Sequence, residues 1–512
     1  MKKNNIGLLI VSAFLLPTLL HAADQRTTAL LHQALEAQGG EQKLRSLKSV
    51  QWEAFGYRNA LEQSERPEGP YIASFETVSE VHDFAGNRYR SITDEAVYPV
   101  YKSSSGSIVV GNVAMRVSGS TKAAGTPQQL QIIREREALS PERVLLTALD
   151  TPDVHTEPDI VLQSVPQNVV AFTLDHAPVC IYLNAFTHLP TAVDYSGPLA
   201  RSGYWAFLGD VTRRTYFSFW WLAKGGIHLP MQWNVESNGL PDQMYVMRKL
   251  QIDEPLNEAD MAIPQEVRAQ YHPDAQPTTL DERPLGDPSK PATELAPGIV
   301  FIPGSWNATL VRQDDGIVIL EAPISSGYST KVIAEAHRRF PGQPIKAVIT
   351  TSDSWPHLSG IREYVAQGIP IYALDLNRPI LERVIAAPYT SRPDALERNQ
   401  RKAVLHLVHD KAVLGTGANR IEIYPIRGET SERQMMAYFP EHHLLYGSDP
   451  FQVNEDGSFF YPQTVTELMD AVAREHLEVG QFFMMHVSPT PWTDLAKAIA
   501  AVEKLDTPTG VL

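Results

Sequence analysis

The sequence predicts an α+β protein in two parts: an antiparallel β-rich first half, then a second half in which strands and helices alternate. Three observations predict it. Short alternating apolar and polar runs, separated by turn residues, fill the stretch from Asp24 to about Ala262. Prolines then crowd residues 264–297. Beyond Ile299, apolar runs of strand length alternate with amphipathic helical segments. Composition allows this: 43% of the 512 residues are hydrophobic and 20% charged, so the chain can fill sizeable cores and is not disordered as a whole.

The elements follow in chain order. Met1-Lys2-Lys3-Asn4-Asn5 is a short positive start, Ile6 to Leu20 is apolar, and His21-Ala22-Ala23 offers small residues for cleavage. This is the anatomy of a secretory signal over residues 1–23. A membrane anchor wants about 20 apolar residues, which this run does not reach. The expectation is a cleaved signal, export to a periplasm, and no integral membrane segment in the mature chain. The formal net charge of -15 and the lack of any Lys/Arg block argue against a nucleic-acid partner. One cysteine, Cys180, excludes a disulfide framework and a thiolate zinc cluster. It stands in the apolar run Val179–Leu183 and is expected to be buried.

Residues 24–263 read as the first domain. Thr28 to Leu44 has helical spacing (Leu30, Leu31, Ala34, Leu35), interrupted by Gly39-Gly40. Strands are expected at Val50–Ala54, Arg88–Ile92, Val179–Leu183, Thr215–Trp221 and Met244–Met247, with turns at Ala85-Gly86-Asn87 and Asn238-Gly239. Gly39-Gly40, Leu47-Lys48-Ser49-Val50, Ile181-Tyr182-Leu183-Asn184 and Gly226-Ile227-His228-Leu229-Pro230 give this half a texture similar to curved-sheet periplasmic carrier domains of the lipoprotein-carrier type. The resemblance implies a curved antiparallel sheet and carries no catalytic motif. Trp220, Trp221 and Trp233 either line an apolar groove or belong to the core. Residues 264–293, rich in proline and polar side chains, read as an extended linker.

Residues 294–512 read as the second domain. Gly316–Leu320, Lys346–Thr350 and Ile369–Ala373 have strand character, and Tyr328–Phe340 and Leu358–Gln367 have helical character, the latter ended by Gly368. The run Ala347-Val348-Ile349-Thr350-Thr351-Ser352-Asp353-Ser354-Trp355-Pro356-His357-Leu358-Ser359-Gly360 resembles the metallo-β-lactamase superfamily, whose strand ends in Thr-His-x-His-x-Asp-His before a helix. Gly298 to Glu321 is similar to the family's opening hairpin, Tyr438 to Asp449 to the strand pair that delivers a bridging aspartate, and Phe482 to His486 to its last strand. The resemblance spans about Glu294 to Leu505 and implies an αββα sandwich. It also implies metal-assisted hydrolysis, in which a divalent cation held by imidazoles and carboxylates lowers the pKa of a bound water.

Residue by residue, the carry-over is incomplete. Ser352 and Ser354 stand where the family has its first two histidines, Pro356 where it has its aspartate, and Glu429, after Gly428, where it has a further histidine. His357, the bridging Asp449 and the terminal His486 are kept. Serine hydroxyls are weak zinc ligands and proline has none, so the two-metal centre cannot be built. Three readings follow. One zinc sits on His357, Asp449 and His486, with or without Glu429 as a fourth ligand, and Asp449 and His357 are then the catalytic residues. Or the pocket holds no metal and binds a small molecule or another partner. Or Ser352 or Ser354 acts with His357. Trp355 walls the pocket or covers its mouth. No Gly-x-Ser-x-Gly elbow, Walker loop or complete dinucleotide fingerprint is present. The expected function is therefore that of an exported, hydrolase-like scaffold with at most one metal, or of a binding protein on the same scaffold.

Overall fold

A computed structural model describes residues 15–61, 69–97, 101–198, 207–276, 278–449 and 462–502. The chain divides into two compact units, 1–59 with 73–197 and 212–277, and 60–72 with 198–211 and 278–512.

The first unit is built on a thirteen-stranded sheet. The first six strands, from Ser49–Asn59 to Thr121–Ala124, form one meander, and the next seven, from His155–Leu162 to Leu240–Ile252, form a second. Ser49–Asn59 pairs with Leu240–Ile252, which joins the two meanders edge to edge; Val50 lies opposite Ile252. Short alternating strands pair antiparallel with their chain neighbours because tight turns link them. One side carries the core. Leu31, Ala34 and Leu35 of the helix Leu15–Gln38 and Val144–Leu146 of the helix Val144–Asp150 pack on Trp52, Val170, Phe172, Ile181 and Phe217 of the sheet.

Several expectations are refined. The helix expected over Thr28–Leu44 is two helices, Leu15–Gln38 and Glu41–Ser46, with Gly39 (φ 127°) and Gly40 (φ 106°) making the break between them. Of the signal-like residues 1–23, residues 1–14 lie outside the described residues and 15–23 fall in the helix Leu15–Gln38. No described helix is long and apolar enough to cross a membrane. Cys180 is half-buried rather than interior, since it sits on the less covered side of its strand. The proline-rich stretch is not a free tether. Ile263 and Val267 pack with Ile108 and Met115 in the first unit. Farther on, Thr279 and Glu282 form a capping box, the Asp281 carboxylate accepts from Gly327 N (2.9 Å), and Lys331 donates to the Asp281 and Arg283 carbonyls. Proline removes ladder donors but leaves the carbonyls of an extended chain free to dock.

The second unit holds two sheets. Seven strands run in order from Thr293–Ala296 to Leu405–Val408; the first four are antiparallel neighbours and the last four, from Gly316–Leu320, are parallel. Six strands run from Ala412–Leu414 to Thr490–Pro491. Phe301, Val318 and Ile349 of the first sheet meet Met435, Ala437, Phe439, Tyr446 and Phe483 of the second. The alternate residues Met436 and Tyr438, with Phe482, pack on Val465, Leu468, Val472, Leu495 and Ile499 of the helices Pro462–Arg474 and Trp492–Val502. Ile317, Ile319 and Val348 of the first sheet are fully buried too, as are Tyr328, Val332 and Ala336 of the helix Ser326–Arg339, which packs with Ile361–Gln367. The period of two along each strand thus yields a helix–sheet–sheet–helix sandwich.

Candidate functional site

The site gathers where strands of both sheets end. Gly316–Leu320 stops at Glu321, whose backbone is left-handed (φ 72°). The following residues are stitched to the motif loop: Ala322 N donates to the His357 carbonyl (2.9 Å), and Gly360 N donates to that of Ala322 (2.9 Å). The Glu321 carboxylate, fully buried, accepts from Thr351 N (3.1 Å), the Thr351 hydroxyl and the Tyr446 hydroxyl (2.9 Å). A buried carboxylate needs such donors, because desolvating an unpaired charge is costly.

His357 lies in the short helix Trp355–Leu358 and is fully buried. Its Nδ1 is 3.1 Å from Glu321 and its Nε2 is 3.4 Å from Asp449 Oδ2. These are ion-pair distances without hydrogen-bond alignment at either nitrogen. Burial opposes the charged ring, but the facing carboxylates of Glu321 and Asp449 outweigh it and raise its pKa to about 10. Burial, and next to it the Glu321 charge, push the Tyr446 phenol well above its ordinary value.

Asp449 follows Ser448, itself left-handed (φ 67°) and in contact with the Thr351 hydroxyl at 2.7 Å. His486 lies three residues beyond the strand Gln481–Phe483. Its Nδ1 faces the Ser305 carbonyl at 2.8 Å, which leaves Nε2 towards Asp449 Oδ2 at 3.7 Å. The structure therefore brings His357, Asp449 and His486 together, as the motif order implies. Ser352 is buried and its hydroxyl accepts from Ser354 N (3.3 Å); the Ser354 hydroxyl is buried without a hydrogen-bond partner. Trp355, half-buried, meets Trp306 edge to face at 5.9 Å. Glu429 is exposed. Its turn is organised instead by Glu467, which accepts from Thr430 N (3.0 Å) and Ser431 N (2.9 Å).

Glu321, Tyr446 and Ser305 were not singled out from the sequence. Glu321 had one signal: a carboxylate directly after a wholly apolar strand, where Glu is buried only if paired.

The chain matches no family model and no curated protein. Over 42% of its length it is similar to solved structures. TMB-1 is 17% identical, with 97% of that chain covered and a TM-score of 0.33. A metallo-β-lactamase from Erythrobacter litoralis is 14% identical, with 96% covered and a TM-score of 0.33. The inverting sec-alkylsulfatase Pisa1 from Pseudomonas sp. is 14% identical with a TM-score of 0.32, and the match spans 40% of that protein.

The donor set itself decides what the site can hold. Ser352, Ser354 and Pro356 supply neither imidazole nor carboxylate, and Glu429 stands in solvent. Among the described residues no group of three or more His, Cys, Asp or Glu side chains is placed to hold a metal ion. The residues present do not fit the two-metal centre.

Proposed function

We propose that the second unit is a metallo-β-lactamase-type scaffold that binds a small molecule without a metal. The observation that carries this reading is His357, fully buried between Glu321 and Asp449. An imidazolium there supplies the positive charge that a cation would otherwise supply to the Asp449 carboxylate. The groups open to a ligand are Asp449 and His486, with side chains 14% and 21% exposed. Among the described residues Asp449 Oδ1 has no hydrogen-bond partner, so a ligand bearing a hydroxyl or ammonium donor would complete it. The signal-like residues 1–23 support export to a periplasm, and the change of unit between residues 277 and 278 falls inside the stretch read as a linker between domains 24–263 and 294–512.

A second reading, a hydrolase-like site with one zinc, is favoured by one observation: the Nε2 atoms of His357 and His486 both face the same oxygen of Asp449. Mass spectrometry of metal content separates the two. After incubation with zinc and gel filtration, the metal-free reading expects less than about a tenth of an equivalent, since half the ligand set is absent. One equivalent, lost in His486→Ala, supports the second reading, and two would contradict both.

A further inference from the structure

We propose a second ligand site, in the first unit: a pocket for an uncharged pyranose sugar at the turn end of the strands 155–162, 165–174, 177–184, 190–198 and 210–223. The cavity measures about 370 Å³ and none of its lining side chains is charged. That volume lies within the range of small-molecule pockets, about 300–1,000 Å³.

One lining residue carries an unmet acceptor. Gln167 is fully buried; its Nε2 donates to the Val165 carbonyl (3.1 Å), and its Oε1 has no hydrogen-bond partner. A buried amide oxygen in this state calls for a donor from the occupant. An acyl chain would leave it unpaired, whereas a sugar hydroxyl would satisfy it.

The wall is aromatic. Phe217 and Trp220 both line the cavity, with ring centroids 6.2 Å apart. In a regular strand residues three apart point to opposite faces. Phe219 between them is left-handed (φ 54°), and this break in the alternation turns both rings to one side. A half-buried indole offers an apolar plate for the C–H face of a pyranose. Around the rim stand Asn184, Thr187 and Thr191. Asn184 Oδ1 already accepts from Phe186 N (2.9 Å) and Thr187 N (3.1 Å), so its NH₂ is the group that remains for ring or hydroxyl oxygens. Leu162, Val165, Leu189 and Pro190 complete the apolar part of the lining. With the aromatic plate, amides and hydroxyls and no charge, the lining favours a neutral ring that is apolar on its faces and polar at its edge over a carboxylate or a phosphate, and the unmet acceptor of Gln167 favours a hydroxyl over an acyl chain.

The test uses the full chain, with methyl β-D-glucopyranoside and N-acetylglucosamine as probes and laurate as the contrasting ligand. Saturation-transfer NMR and tryptophan fluorescence should show saturable binding of at least one sugar below about 100 mM, a weak but measurable affinity. Gln167→Leu keeps the side-chain bulk and should weaken that binding about tenfold or more, because the hydroxyl loses its acceptor. Trp220→Phe keeps a plate and should stay within a few-fold of wild type, whereas Trp220→Ala should abolish binding. Unchanged melting temperatures confirm that the variants fold, and Gln167→Leu with Trp220→Phe suffice if Trp220→Ala does not. No binding of either sugar, sugar binding indifferent to Gln167→Leu, or laurate binding that these variants weaken would each overturn the proposal.

Discussion

His82 in the first unit is enclosed by two carboxylates, with Nε2 2.7 Å from Glu80 and Nδ1 2.6 Å from Glu142, all three side chains being at most 4% exposed. Burial opposes the charged ring, but Glu142 and Glu80 prevail and raise its pKa to about 10. A pKa raised on folding stabilises below the unfolded value of about 6.5, and that contribution is lost as the pH climbs through about 10. Replacing His82 by Ala leaves the buried Glu142 without its cation and Glu80 with Arg136 alone, 3.6 Å away, a cost of about 3–5 kcal/mol at pH 6. Urea denaturation of wild type and His82→Ala should show that gap at pH 6 and a narrower one at pH 10; equal stabilities at pH 6 would contradict the clamp. Glu321 calls for the parallel experiment in the second unit. Glu321→Leu strands the buried Thr351 N–H and the Tyr446 hydroxyl and removes one of the two anions on His357, again at about 3–5 kcal/mol. The double variant Glu321→Leu/His357→Leu should recover part of this, because the partner charge goes too. Strictly additive losses in denaturation midpoints would show that the two side chains are not coupled.

At the scale of elements, the stretch between the units sets a proteolysis pattern. Residues 272–276 are all exposed, whereas 279–283 are held by the Thr279–Glu282 capping box and by Asp281 and Lys331. Cleavage by a broad-specificity protease needs a mobile, exposed backbone, so the first cut is expected at 272–276. A first cut at 279–290 would mean that those contacts do not protect the chain. Much of this level was legible in the sequence. Alternation in Val179–Leu183 and Thr215–Trp221 marked strands, and the Asn238-Gly239 turn separates two of the strands observed. The strand before His357 and the helix after it emerged as expected, but His357 itself lies in a separate short helix, Trp355–Leu358, where a loop was expected. The docking of the linker was less visible, because proline density reports extended backbone and says nothing of what that backbone binds. Yet Thr279-x-x-Glu282 is a capping-box pattern that could have been read. The Glu321 contact was out of reach, since it depends on a left-handed backbone after a strand and on a tyrosine 125 positions away.

For the molecule as a whole, two units of different layer architecture share one chain, and 60–72 and 198–211 group with the later unit although they interrupt the earlier one in sequence. For 198–211 the grouping follows from contacts made far along the chain: Asp210 N donates to the Pro388 carbonyl (2.7 Å), and the Asp210 carboxylate accepts from Thr390 N (2.7 Å). A reading that divides the sequence by composition into 24–263 and 294–512 cannot see such excursions. The chemistry of the later unit turns on the protonation of His357. Nitrogen NMR of protein labelled with ¹⁵N-histidine, with the resonance assigned by its loss in His357→Gln, reports that state directly. With a pKa of about 10, His357 should carry protons on both ring nitrogens at pH 8 and keep them in excess zinc. A neutral ring at pH 8, with an Nε2 signal that shifts on the first equivalent of zinc, would contradict the metal-free reading.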